Sequence, residues 1–182
     1  MIITVGKTHS GKSTFARALE KELANSITID QDNQAEFINA YYKALLPKEG
    51  ANTFKYSLTQ TIVDYAVNNT DLHIILCNAN RARAPRLALL EKFRNAGFSS
   101  ILVNFIIPDD VLAARVASTN RSTNVFRTAT SFEEVLLRQH REASTEEMAS
   151  PRENEATYFL EVKDSDATIS VIRKIIEIVQ GV

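Results

Sequence analysis

The stretch IITVGKTHSGKSTFARALEKELA, residues 2–24, decides how the rest of the chain is read. Its first four residues, Ile2 to Val5, are apolar and largely β-branched, which predicts a buried strand. Residues 14–24 place Phe15, Leu19 and Leu23 four apart, on one face of an expected amphipathic helix. Between them lies GKTHSGKS, residues 6–13, in which Gly6, Gly11, Lys12 and Ser13 fit GxxxxGK(S/T), a phosphate-binding loop. Strand, glycine-bearing loop and helix, in that order, give the motif its physical meaning.

Such a loop wraps negative oxygens with backbone N–H groups, and the helix that starts near Lys12 adds the partial positive charge of its N-terminus. Gly6 and Gly11 permit a close backbone approach that a Cβ would hinder. The nucleotide-binding segment is expected to comprise Gly6, Lys7, Thr8, His9, Ser10, Gly11, Lys12, Ser13 and Thr14, with no side-chain role assigned to His9 or Ser10. Lys12 is expected to reach the β- and γ-phosphates of ATP, and the Ser13 hydroxyl to ligate Mg²⁺.

The length of 182 residues suits one domain, and an apolar fraction of 45% is enough for a sizeable core. Lys plus Arg total 21 and Asp plus Glu 22, a balance that argues against a wholly basic protein that coats nucleic acid. The lone cysteine, Cys77, excludes an intramolecular disulfide and is compatible with a cytoplasmic setting. A strand from the first residues leaves no room for a signal peptide, and no apolar run approaches the roughly 18 residues of a membrane span.

Further strands are predicted at 27–29, 73–77, 101–107 and 159–162. Helices are predicted at 34–46, 54–68, 85–96, 109–118, 132–148 and 166–180. This alternation predicts a single three-layer α/β/α P-loop NTPase domain with a five-stranded, mostly parallel sheet. Residues 119–131, TNRSTNVFRTATS, are polar and weakly periodic, as a small lid would be.

Acceptor chemistry belongs at the carboxyl ends of neighbouring strands. After the second strand come Asp30 and Asp32; Asp32 is either a base for an attacking hydroxyl or the cap of a helix starting near Asn33, with Asp30 second to it as base. After the third strand come Asn78, Asn80, Arg81 and Arg83, and then Arg86; these arginines could bind an acceptor's phosphate or be a solvated helix start. Strands at this position in P-loop enzymes normally end in an acid, but here the positions are Cys77 and Asn78. The lid offers Arg121 and Arg127, and the helix before it offers Arg115 toward the nucleotide. The segment from Lys163 to Asp166 could pass near adenine.

Together GKTHSGKS, ITIDQDN, ILCNANRARAPR, RVASTNRSTNVFR and FEEVLLRQH resemble the small P-loop kinases of the polynucleotide-kinase-like group, sometimes described as AAA-type ATP-binding kinases. The resemblance covers most of the chain, though only the first motif is specific. It implies that Asp32 is the base and that Asn80 matches the Asn of a D-x-N element. It also implies that Asn78 departs from that element's acid, and that Arg121, with Arg127 as competitor, is the lid arginine.

The expected activity is ATP- and Mg²⁺-dependent transfer to a hydroxyl, with Lys12, Asp32 and Arg121 as catalytic residues. The acceptor could be a 5′-hydroxyl of a nucleic acid, a nucleoside or nucleotide, or a small metabolite. Two rivals remain: an adenylate- or shikimate-type small-metabolite kinase on the same fold, and a nucleotide-binding protein with little or no transfer.

Overall fold

Successive side chains of a strand point to opposite faces of its sheet, so a continuously apolar strand must be covered on both. The strands here behave in that way. The structure, a computed structural model, describes residues 1–181. Its strands are β1 (Ile2–Val5), β2 (Ser26–Ile29), β3 (His73–Leu76), β4 (Ile101–Phe105) and β5 (Tyr158–Val162). They form one sheet in the order β2-β3-β1-β4-β5, and every pairing is parallel.

The helices are α1 (Lys12–Glu22), α2 (Gln31–Tyr41), α3 (Thr53–Asn69), α4 (Arg83–Asn95), α5 (Asp109–Ala117), α6 (Phe132–Glu142) and α7 (Ser165–Gln180). Ile2, Ile75, Ile101 and Val103 face α1 and α7, where Phe15, Leu19, Ile172 and Ile175 complete one core. Ile3, Ile74, Leu76 and Leu102 face the other way, onto Val63 of α3 and Leu90 and Phe93 of α4. Neighbouring strand residues thus serve opposite layers, which makes the three-layer α/β/α architecture. A third, smaller core joins α5 and α6 through Leu112, Val116, Phe132 and Leu136.

The chain goes from β1 outward to β2, back to β3, and then crosses to β4 and β5 on the far side. The order therefore reverses around β1, and the crevice at its carboxyl end is where ligands of such sheets bind. Gly6 N donates to Ala79 O at 3.0 Å, so the loops after β1 and β3 are tied together there.

Two helices differ from expectation. α2 starts at Gln31 rather than 34 because Asp30 caps it, its carboxylate accepting from Asp32 N at 3.0 Å. It stops at Tyr41, and a single 3-10 turn at Lys43–Leu45 follows. α6 ends at Glu142 rather than 148, where the Ser144 and Thr145 hydroxyls bond back to the carbonyls of Arg141 and Glu142. Such local bonds compete with helix continuation.

Candidate functional site

The phosphate loop begins where β1 runs out of partners. A Cβ at Gly6 would lie 2.9 Å from the Cβ of Phe105, so only glycine fits between the loop and β4. Gly11 sits at φ 97°, a left-handed conformation that also favours glycine, and leads directly into α1. His9 also has positive φ, at 56°. The Lys12 ammonium donates to Lys7 O at 2.5 Å and to Ser10 Oγ at 3.1 Å, curling over its own loop. Burial pulls its pKa from 10.5 to about 8.

Side chains from α5 and α6 brace the loop from outside. Lys7 pairs with Asp109 at 2.6 Å, and His140 meets the same carboxylate oxygen at 3.1 Å. Gln139 Oε1 accepts from Thr8 N at 2.7 Å. His9 Nε2 lies 2.9 Å from Thr119 Oγ1, and its ring packs edge-on against Phe132 at 4.6 Å. Arg115 donates to His9 O at 3.2 Å and to Ser165 Oγ at 3.3 Å, joining the loop to the start of α7. Thr14 lines the same cleft, one residue beyond Ser13.

The two carboxylates after β2 divide their tasks. Asp30 is buried, and its Oδ2 accepts from Ser13 Oγ at 2.9 Å while Oδ1 caps α2. The cap at this helix start is therefore Asp30, and Asp32 stands in the first turn, free of capping. Asp32 Oδ2 instead pairs with Arg121 of the lid at 2.6 Å, and that guanidinium also lies 5.4 Å from the ring centroid of Phe132.

Cys77, not Asn78, faces Ser13: its Sγ is 3.6 Å from Ser13 Oγ. Burial, with the Asp30 carboxylate beside it, pushes the thiol up to about 12, so it is neutral. Asn78 turns to α2, its Oδ1 accepting from Gln31 N at 3.0 Å, and its carbonyl accepts from Thr4 Oγ1 at 3.0 Å. Asn80, at φ 43°, donates to Thr4 O at 3.0 Å. Both asparagines stitch the β3 loop to its neighbours.

The arginines after β3 do not gather at one point: Arg83 is exposed at the start of α4 and does not line the cleft, as in a solvated helix start. Arg86 is buried and pairs with Glu155 at 2.7 Å, so it is neither solvated nor open to an acceptor. Arg81 is taken by Gln139 O at 2.7 Å and Glu142 at 3.3 Å. Arg127 bonds to the carbonyls of Pro47 and Gly50, pinning the lid to the loop after α2. Of the two lid arginines, it is Arg121 that lies beside Asp32.

One open cleft of about 1550 Å³ takes in Lys12, Ser13, Asp30, Asp32, Arg115 and Arg121. Ligand pockets are commonly about 300–1,000 Å³, so this one has room for a nucleotide and an acceptor together. Asp164, Ser165 and Thr168 line it after β5, and Asn52, which caps α3, lines it with Lys55, Tyr56 and Thr59 of α3. Lys55 belongs to no sequence motif. Its only local signal is Asn52 three residues earlier, whose side chain caps α3 by accepting from Lys55 N at 3.1 Å.

The oxygens of Ser13 and Asp30 suit Mg²⁺, a hard cation that keeps several waters and leans on substrate phosphates. A neutral thiol adds little to such a set. Among the described residues no group of three His, Cys, Asp or Glu side chains could hold a metal by itself. Nor is any helix among them long and apolar enough to cross a membrane.

Comparison with known proteins agrees with this fold. The family described as AAA domain matches residues 1–145. Among solved structures, Kti12 of Chaetomium thermophilum, in complex with ADP-AlF3, has a TM-score of 0.64 at 18% identity, covering 96% of each chain. Shikimate kinase of Acinetobacter baumannii has a TM-score of 0.58 at 20% identity, covering 99% of this chain and 92% of that one. A gluconokinase of Sinorhizobium meliloti has a TM-score of 0.56 at 15% identity, covering 96% and 88%. No curated protein sequence matches significantly.

Proposed function

Because the chain belongs to the AAA domain family and has the fold of small P-loop kinases, we propose that it is an ATP- and Mg²⁺-dependent kinase that phosphorylates a hydroxyl. The observation that carries this reading is the meeting of Asp32 and Arg121 at 2.6 Å in the cleft that also holds Lys12 and Ser13.

The loop amides and Lys12 hold the β- and γ-phosphates, and Arg115 with the Asp164–Thr168 segment flanks the nucleoside end. Ser13 and Asp30 would hold Mg²⁺, which when bound neutralises charge on the phosphate oxygens. Asp32 Oδ2 orients the acceptor hydroxyl and takes its proton. The acceptor oxygen bonds to the γ-phosphorus as the bond to the β-phosphate oxygen breaks, and ADP leaves. Arg121 passes from Asp32 to the transferring group, which frees the carboxylate when both substrates are present. The acceptor panel for its test comprises 5′-hydroxyl oligonucleotides, nucleosides and small polyols.

Replacing Asp32 with Asn is expected to leave ATP affinity unchanged and to slow transfer about a hundredfold or more, the scale of a lost general base. Radiolabelled ATP with that panel reads both. Equal rates in variant and parent would remove Asp32 from the mechanism. A second reading, a nucleotide-binding protein with little transfer, is favoured by the neutral Cys77 thiol 3.6 Å from Ser13 Oγ. ATP binding without transfer to any hydroxyl would select it.

A further inference from the structure

The arginines on the acceptor side of the cleft are already answered: Arg81 by Glu142 and Gln139 O, Arg121 by Asp32, Arg127 by two backbone carbonyls. Lys55 is not. Among the described residues its ammonium has no hydrogen-bond or ion-pair partner, although the side chain is half-buried and lines the cleft. Its backbone is fixed by the Asn52 cap, and its Nζ lies 5.2 Å from the ring centroid of Tyr56.

Neither of the site's two carboxylates forms an ion pair with Lys55. Asp30 is committed to Ser13 and to the N-terminus of α2, and Asp32 to Arg121. Both make themselves felt at Lys55, but burial still holds its pKa below the usual lysine value. An ammonium partly withdrawn from water with no counter-ion in contact is a costly arrangement unless a ligand supplies the anion. It lies on α3, which packs beside β2, whereas Asp164–Thr168 follows β5 at the opposite edge of the sheet.

Building on the kinase reading, we propose that the acceptor carries an anionic group, a carboxylate or a phosphate, besides its hydroxyl, and that Lys55 holds it. The charge pair then anchors one end of the acceptor while Asp32 meets the hydroxyl at the other. Lys55 is a specificity residue, separate from the transfer chemistry.

The test uses matched acceptors with ATP: glucose, gluconate and glucose 1-phosphate, and a nucleoside beside its 3′-monophosphate. Within the series that is phosphorylated, the anionic members are expected to be preferred by about ten- to a hundredfold in kcat/KM, the scale of a charge-assisted contact. The carboxylate and phosphate arms tell which anion it is. Lys55→Gln should erase the preference through KM, Lys55→Arg should keep much of it, and ATP affinity should be unchanged in both. Equal use of neutral and anionic acceptors, or a preference that survives Lys55→Gln, would overturn the assignment. If no acceptor in the panel is phosphorylated, the kinase reading is what suffers, and the anion site is decided separately. With the phosphate loop filled by a non-hydrolysable ATP analogue, inorganic phosphate should shift the Lys55 Nζ resonance. An unmoved resonance would dispose of the site.

Discussion

At the scale of single residues, the phosphate loop's lysine is strongly conditioned by its burial in the cleft. Burial brings Lys12 down to about 8, against 10.5 for an ordinary lysine. Because the folded value is the lower one, the unfolded chain binds more protons between these two pH values, and this residue's contribution makes the fold more stable as pH rises from about 8 to 10.5. A bound triphosphate restores the proton by offering the ammonium its anion. Nucleotide binding at pH 8 is therefore expected to take up roughly half a proton, a quantity that calorimetry reads from the dependence of binding heat on buffer ionisation. Binding with no proton uptake at pH 8, or tight binding by Lys12→Ala, would contradict this account of the loop.

At the scale of elements, the buried ion pair of Arg86 and Glu155 fastens the start of α4 to the segment before β5. Arg86 also donates to the carbonyls of Asn80, Arg81 and Ala149, so one guanidinium holds two stretches of backbone besides the Glu155 carboxylate. Arg86→Ala leaves Glu155 buried without its partner and is expected to cost about 3–5 kcal/mol in urea denaturation. Pairing Arg86→Met with Glu155→Leu should recover much of that loss; a small effect of the alanine change would show that the pair is not closed off from water. This pair also marks the limit of what sequence reveals. The strands and most helices were legible because their apolar periodicity reports burial within a few residues, as in IITV and HIIL. The loop motif was legible because its residues are contiguous. Arg86 and Glu155 are 69 residues apart and read as surface charges until the fold joins them. Asp30 and Asp32 were quoted together, but only the start of α2 at Gln31 decides which caps and which faces the lid. Lys55 carried no motif, and its isolation is a property of the finished cleft.

At the scale of the whole molecule, the cleft lies between the sheet with its phosphate loop and the unit formed by α2 and α3, and the 119–131 segment touches both. On the sheet side Thr119 Oγ1 meets His9 Nε2 at 2.9 Å. On the other side Asn39 donates to the carbonyls of Asn124 and Phe126, and Arg127 to those of Pro47 and Gly50. The 119–131 segment is therefore bonded to the α2 side at more points than to the phosphate loop. Under the proposed function that side is the acceptor wall, so loosening the segment there should affect the acceptor first. Arg127→Ala removes two charge-assisted bonds without touching Asp32, Arg121 or the phosphate loop. Partly exposed bonds of this kind contribute on the order of 1 kcal/mol together, which predicts a rise of about fivefold in acceptor KM with ATP affinity unchanged. Amide exchange should quicken across residues 119–131 and stay unchanged in α1, because local opening needs only the lid's own bonds to break. A variant with faster exchange in α1 as well would mean that the lid and the nucleotide side open as one body, and that Arg127 holds the whole cleft together.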